Sequence, residues 1–112
     1  MIIYYNPDCS KCNEAFDLLK QNNCEFTIRN YLSHPPSVEE LKELLDKLKC
    51  KPIDIVRKKE SLYQQLYAYK QFNDQEWLNI LSQHPVLIER PIVINNNKAI
   101  IGRPPQLVLN II

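Results

Sequence analysis

"YYNPDCSKCNEAF" occupies residues 4–16 and sets two cysteines, three apart, just after a short apolar run. Residues 2 to 5 (IIYY) are β-branched and aromatic, the signature of a short strand. Asn6-Pro7-Asp8 then supplies a turn. Past the turn, Cys12, Phe16 and Leu19 recur at helical spacing, with Ala15 and Leu18 beside them. Asn22-Asn23 ends that helix, and CEFTI (24–28) reads as a second strand. Strand, helix and strand within 28 residues make a β-α-β unit, whose two strands run parallel.

Cys9 falls where the first strand hands over to the helix. Unsatisfied backbone N–H groups and the helix macrodipole favour an anion there. Thiols so placed drop from about 8.5 into a range of roughly 3.5 to 7.5. Lys11, two residues on, adds a positive charge to the same turn. Cys12 lies one turn further in and heads the apolar stripe. It reads either as a core-facing residue or as a resolving thiol that closes a disulfide with Cys9. A C-x-x-C can also be half of a zinc site, but Cys24 and Cys50 are far apart with no His beside either. No metal is expected, and both of those cysteines read as packing residues.

Working outward, Ser37 and Glu40 form an S-x-x-E capping box that opens a helix with Val38, Leu41, Leu44, Leu45 and Leu48 on one face. Residues 53–69 are compatible with a second helix, and Asn73 or Asp74 starts a third that ends before Pro85. "RPIVINNNKAII" reads as two strands joined by an Asn-rich turn. Gly102 is the only glycine, and Pro104 and Pro105 open a last helix over 106–112, with Leu107, Val108, Ile111 and Ile112 facing inward. The expected architecture is α/β with a thioredoxin- or glutaredoxin-like mixed sheet: β-α-β, a helical insert at about 37–84, a β-hairpin and a C-terminal helix. Residues 1–112 read as one domain. A net charge of +1 provides no global field to attract nucleic acid or an anionic membrane. The sequence shows no secretory leader and no run near the roughly 20 apolar residues that span a bilayer, so a cytoplasmic protein is expected, as a monomer.

A thiolate can serve disulfide exchange, peroxide reduction or attack on an oxyanion. In the last case it meets a repulsion of about 4 kcal/mol per pair of unit charges at 4 Å and an effective dielectric of 20. Fixed cations must offset that, and the planar fork of arginine matches tetrahedral oxyanions best. The chain has four arginines: Arg29, Arg57, Arg90 and Arg103. Arg90 and Arg103 each precede proline, on either side of the proposed hairpin.

"YYNPDCSKCNEAF", "IVRKKESLY", "HPVLIERPIVI" and "AIIGRPPQLVLNI", in this order and spacing, resemble the ArsC family of glutaredoxin-coupled arsenate reductases. The resemblance covers nearly the whole chain. It implies that Cys9 is the catalytic nucleophile, that Arg57, Arg90 and Arg103 bind the oxyanion, and that Pro91 follows a cis peptide bond. It further implies arsenate as substrate, glutathione as co-substrate, glutaredoxin as partner and no bound cofactor. Asn6 and Asp8 would shape the turn, with Ser10 beside the oxyanion. Many members carry histidine where Tyr5 stands and serine where Cys12 stands. Spx-type regulators, which bind RNA polymerase, share the fold and a C-x-x-C switch, and a general glutathione-linked thiol oxidoreductase is a third reading. Arg103-Pro104-Pro105 favours the reductase.

Overall fold

Strand β1 (Ile2–Tyr4) is the element on which one half of the molecule is assembled. The computed structural model describes all residues, 1–112, in two compact units: Met1–His34 with Arg90–Ile112, and Pro35–Glu89. In the first, β1 pairs in parallel with β2 (Thr27–Arg29) and antiparallel with β3 (Ile92–Asn95). Strand β4 (Lys98–Ile101) pairs antiparallel with β3, completing the order β2-β1-β3-β4. The hairpin turns at Asn96, which takes φ 56°, a left-handed conformation that asparagine tolerates better than most residues. A parallel pair joined by a helix, followed by an antiparallel hairpin, is a thioredoxin-like plan.

Alternation along the strands sorts residues between the two sheet faces. Ile3 and Val93 sit opposite each other and pack with Ala15, Leu19 and Val108, all fully buried. Ala15 and Leu19 belong to helix α1 (Ser10–Gln21), whose buried positions, with Cys12, recur at i, i+3 and i+7. Tyr4 and Ile92, also paired, point to the other face, where the Tyr4 ring stacks on the fully buried Tyr31 at 6.0 Å.

Two expectations for this unit need revision. Sheet pairing of the second strand begins at Thr27, not Cys24. Asn23 adopts φ 58° and the Cys24 N–H returns to the Leu19 carbonyl (3.0 Å), so the chain stays tied to the helix end for several residues. The terminal segment Pro105–Ile111 is a 3₁₀ rather than an α-helix. Its three-residue period places Pro105, Val108 and Ile111 on one face, toward the core, and leaves Ile112 48% exposed.

The second unit opens with α2 (Val38–Leu48), capped as expected: the Ser37 side chain accepts the Glu40 N–H (3.1 Å), and the Glu40 carboxylate accepts the Ser37 N–H (3.2 Å). The same reciprocal box, Asn73 with Glu76, starts α4 (Asp74–Gln83), which buries Trp77, Leu78 and Leu81. Between them the expected helix over 53–69 does not form as one piece. A 3₁₀ turn covers Pro52–Ile55, and Val56 then extends to bridge Ile88. The Arg57 N–H donates to the Leu87 carbonyl (2.7 Å) and the Glu89 N–H to the Ile55 carbonyl (2.8 Å). β-branched Val56 suits extended backbone better than a helix, and these long-range bonds select it. Helix α3 is confined to Ser61–Leu66, and Tyr69 beyond it is 97% exposed. No helix is long and apolar enough to cross a membrane.

Candidate active site

The turn between β1 and α1 is built by its own side chains. Asn6 Oδ1 accepts the Asp8 N–H (3.0 Å), and the Asn6 carbonyl accepts the Cys9 N–H (3.0 Å). Asn13, a turn further on, donates from Nδ2 to the Pro7 carbonyl (3.1 Å) and accepts the Tyr5 hydroxyl. The turn is thereby held at both ends, as expected of Asn6 and Asp8, with Asn13 as a third fastener. It delivers Cys9 to the N-cap of α1 in an extended conformation (φ −103°, ψ 117°), where its carbonyl accepts the Asn13 N–H (3.1 Å). Cys9 is 6% exposed and Cys12, at the third helical position, is fully buried.

The two thiols lie in opposite electrostatic settings. Burial alone would push the Cys9 thiol up. The Cys12 backbone N–H, the Arg90 guanidinium and the Cys12 thiol outweigh it, and Cys9 is held below its ordinary value. The thiol makes no side-chain capping bond at the start of the helix. For Cys12, burial and the adjacent Cys9 sulfur push the thiol up to about 12, against the opposing Asn6 backbone N–H and Arg90. One sulfur is poised to ionise while its neighbour keeps its proton. Lys11 takes no part in this: its Nζ turns to Glu14 at 3.7 Å on the exposed face of α1.

Arg90 is the cation beside the sulfur. Its partial burial works against the charge, but Cys9 and the buried Tyr31 hydroxyl hold the guanidinium protonated. Arg90 Nε is buried and makes no hydrogen bond. Arg103 joins Arg90 through the backbone, its Nε donating to the Arg90 carbonyl (2.7 Å). Both Arg90–Pro91 and Arg103–Pro104 are cis, the first as the family resemblance implies. The first unit thus brings together Cys9, Cys12, Arg90, Arg103 and Pro91. Arg57 belongs to the second unit, where its Nη1 contacts Glu60 (3.0 Å) and the Val86 carbonyl (3.5 Å).

Two contributors escape sequence reasoning. Tyr31 follows the second strand in "IRNYLSHPP", with no periodicity to mark it as buried. Asn13 reads as an exposed helix position. Its only signal is spacing, since residues at positions 9 and 13 lie one helical turn apart. No group of three His, Cys, Asp or Glu side chains converges in a way that could hold a metal ion.

Sheet order and thiol environment together define a thioredoxin-like protein with an ionisable cysteine at the start of its first helix. The chain belongs to the ArsC family, which it matches over residues 4–111. It is 41% identical over 114 residues to an arsenate reductase of Haemophilus influenzae, covering 100% of this chain and 98% of that protein. It is 34% identical over 111 residues to an arsenate reductase of Escherichia coli, covering 98% of this chain and 79% of that protein. Among solved structures, the arsenate reductase from Vibrio cholerae superposes with a TM-score of 0.94 at 42% identity, over 99% of this chain and 96% of that one.

Proposed function

We propose that this protein reduces arsenate to arsenite, with Cys9 as nucleophile and glutathione with glutaredoxin as the reductant. The observation that carries the reading is the pairing of a thiol held below its ordinary value with Arg90, whose buried Nε has no hydrogen-bond acceptor. A buried donor without an acceptor is costly, and a bound oxyanion supplies one. The arsenate reductases among its relatives support arsenate as that oxyanion.

In the proposed cycle the Cys9 thiolate attacks arsenic, an S–As bond forms, and an oxygen leaves as water. Glutathione sulfur then attacks the Cys9 sulfur. The S–As bond breaks with its electron pair staying on arsenic, which becomes arsenite, and Cys9 is left as a mixed disulfide with glutathione. Glutaredoxin reduces that disulfide. Arg90 and Arg103 hold the oxyanion and offset its repulsion from the thiolate. The family resemblance names Arg57 as a further oxyanion ligand. Both of its contacts use Nη1, so Nε and Nη2 lie outside the ion pair with Glu60. The scheme assigns Ser10, exposed at the first helical position, a hydrogen bond to the oxyanion. The scheme requires no resident cofactor, and a cytoplasmic setting would supply the glutathione.

The test is arsenite formation by purified protein supplied with arsenate, glutathione and glutaredoxin. Turnover that Cys9→Ser abolishes is the expected result. No arsenite from the folded wild type under these conditions would refute the assignment.

A further inference from the structure

We propose that Cys9 and Cys12 form a working dithiol pair, in which Cys12 resolves a mixed disulfide on Cys9 from within the chain. Of the reading above this needs only the Cys9 nucleophile, not arsenate.

The argument begins with position. Cys9 is the N-cap of α1 and Cys12 the third residue inside it. Helix radius and rise put Cα atoms three residues apart at about 5 Å. That lies inside the window of roughly 4.4–6.8 Å that a disulfide spans without backbone movement. Exposure divides the labour. Cys9, at 6%, is the sulfur an external disulfide reaches first, whereas Cys12, at 0%, can be reached only from its neighbour. No solvent path to Cys12 is needed, because the bond it attacks would be held beside it.

Chemistry supplies the order of events. While Cys9 is ionised, its charge and hydrogen bond help to keep Cys12 protonated. Once Cys9 is bonded to an external thiol that charge is gone, while the Asn6 backbone N–H and the Arg90 guanidinium still favour a Cys12 thiolate. Burial remains as the opposing effect. The Cys12 sulfur then bonds to the Cys9 sulfur, the bond from Cys9 to the external sulfur breaks, and the departing thiol takes the proton Cys12 gives up. The product is a Cys9–Cys12 disulfide and one free thiol, and a dithiol reductant returns the pair to its starting state. Cys24 and Cys50, on neither side of this turn, take no part.

The test uses the full chain in oxidised and reduced glutathione at a fixed ratio, without arsenate, followed by acid quenching and non-reducing peptide mapping. An internal disulfide releases two glutathione molecules for each oxidised one consumed, so tenfold dilution of the buffer raises its disulfide-to-dithiol ratio about tenfold. A Cys9–glutathione adduct consumes one oxidised glutathione and releases one reduced glutathione, so its yield is indifferent to dilution at a fixed ratio. The expected result is a Cys9–Cys12 linkage with the tenfold response, and a dilution-insensitive adduct on Cys9 in Cys12→Ala. A persistent adduct in the wild type overturns this inference while leaving the Cys9 nucleophile standing. Neither product overturns both. The wild-type measurement decides the matter even if the variant does not fold.

Discussion

Gly102→Ala should destabilise the protein although glycine's backbone freedom is not used there, since its φ is not positive. The cost is steric. An added Cβ would lie 3.0 Å from Pro91 Cγ and 3.0 Å from Val108 Cγ1, closer than nine in ten real Cβ contacts. Neither neighbour can yield easily. Val108 is fully buried among Ile3, Ala15, Leu19 and Val93, and the Pro91 ring is buried with its carbonyl accepting the Gly102 N–H at 2.8 Å. Overpacking of this kind costs about 1–3 kcal/mol. The lost entropy of the unfolded chain on replacing glycine returns about 0.4–1 kcal/mol. The net is about 1–2 kcal/mol, which at the low end of urea m-values for small domains, about 1 kcal/mol/M, lowers the midpoint by roughly 1–2 M. Urea unfolding followed by circular dichroism measures it. Because Pro91 adjoins Arg90 and Gly102 adjoins Arg103, the rate of Cys9 alkylation should also fall in the folded variant. An unchanged or raised midpoint would refute the packing argument.

Other outcomes follow from the electrostatics of the site. Tyr31→Phe keeps the ring stacked on Tyr4 but removes the hydroxyl that helps hold the Arg90 charge. The expected result is a loss of stability of no more than about 1 kcal/mol, the net worth of a typical hydrogen bond, with a rise in the apparent arsenate KM. An unaltered KM would remove Tyr31 from the site. Cys12 predicts an alkaline weakening. Its thiol is near 9.0 when unfolded and about 12 when folded, so across that interval the unfolded chain releases a proton that the native chain keeps. Stability therefore falls as pH rises from 9.0 toward 12. Cys12→Ala should flatten that part of the urea midpoint against pH, and an identical slope in both proteins would contradict the assignment. Cys9 acts with the opposite sign: its folded thiol is lowered, so its contribution is present above the ordinary thiol value and is lost as pH falls through the folded one.

The parts of the fold that sequence disclosed are those where local chemistry and tertiary packing agree. The β-α-β unit, the Ser37–Glu40 capping box and the hairpin each carry a local signal, and each forms. Where long-range bonds outweigh local preference, the reading failed. Val56 leaves the expected helix for a bridge to Ile88, and the end of α1 holds Cys24 out of the sheet. At the site, Cys9 was legible because a strand-to-helix turn marks it, and Arg90 and Arg103 because each precedes proline. Tyr31 was not, since nothing near it in the chain shows that it lies under Tyr4 and beside Arg90. Lys11 misled for the complementary reason: closeness along the chain placed it near Cys9, but its side chain leaves the helix on the Glu14 side.

The most direct measurement is the alkylation rate of Cys9, read by peptide mapping, as a function of pH in wild type and in Arg90→Ala. The wild-type rate should reach half its plateau below the ordinary thiol value while Cys12 stays unmodified, and the Arg90→Ala curve should move to higher pH. Coincident curves, or a wild-type Cys9 that ionises like an exposed cysteine, would contradict the claim that a guanidinium holds this sulfur ready to react.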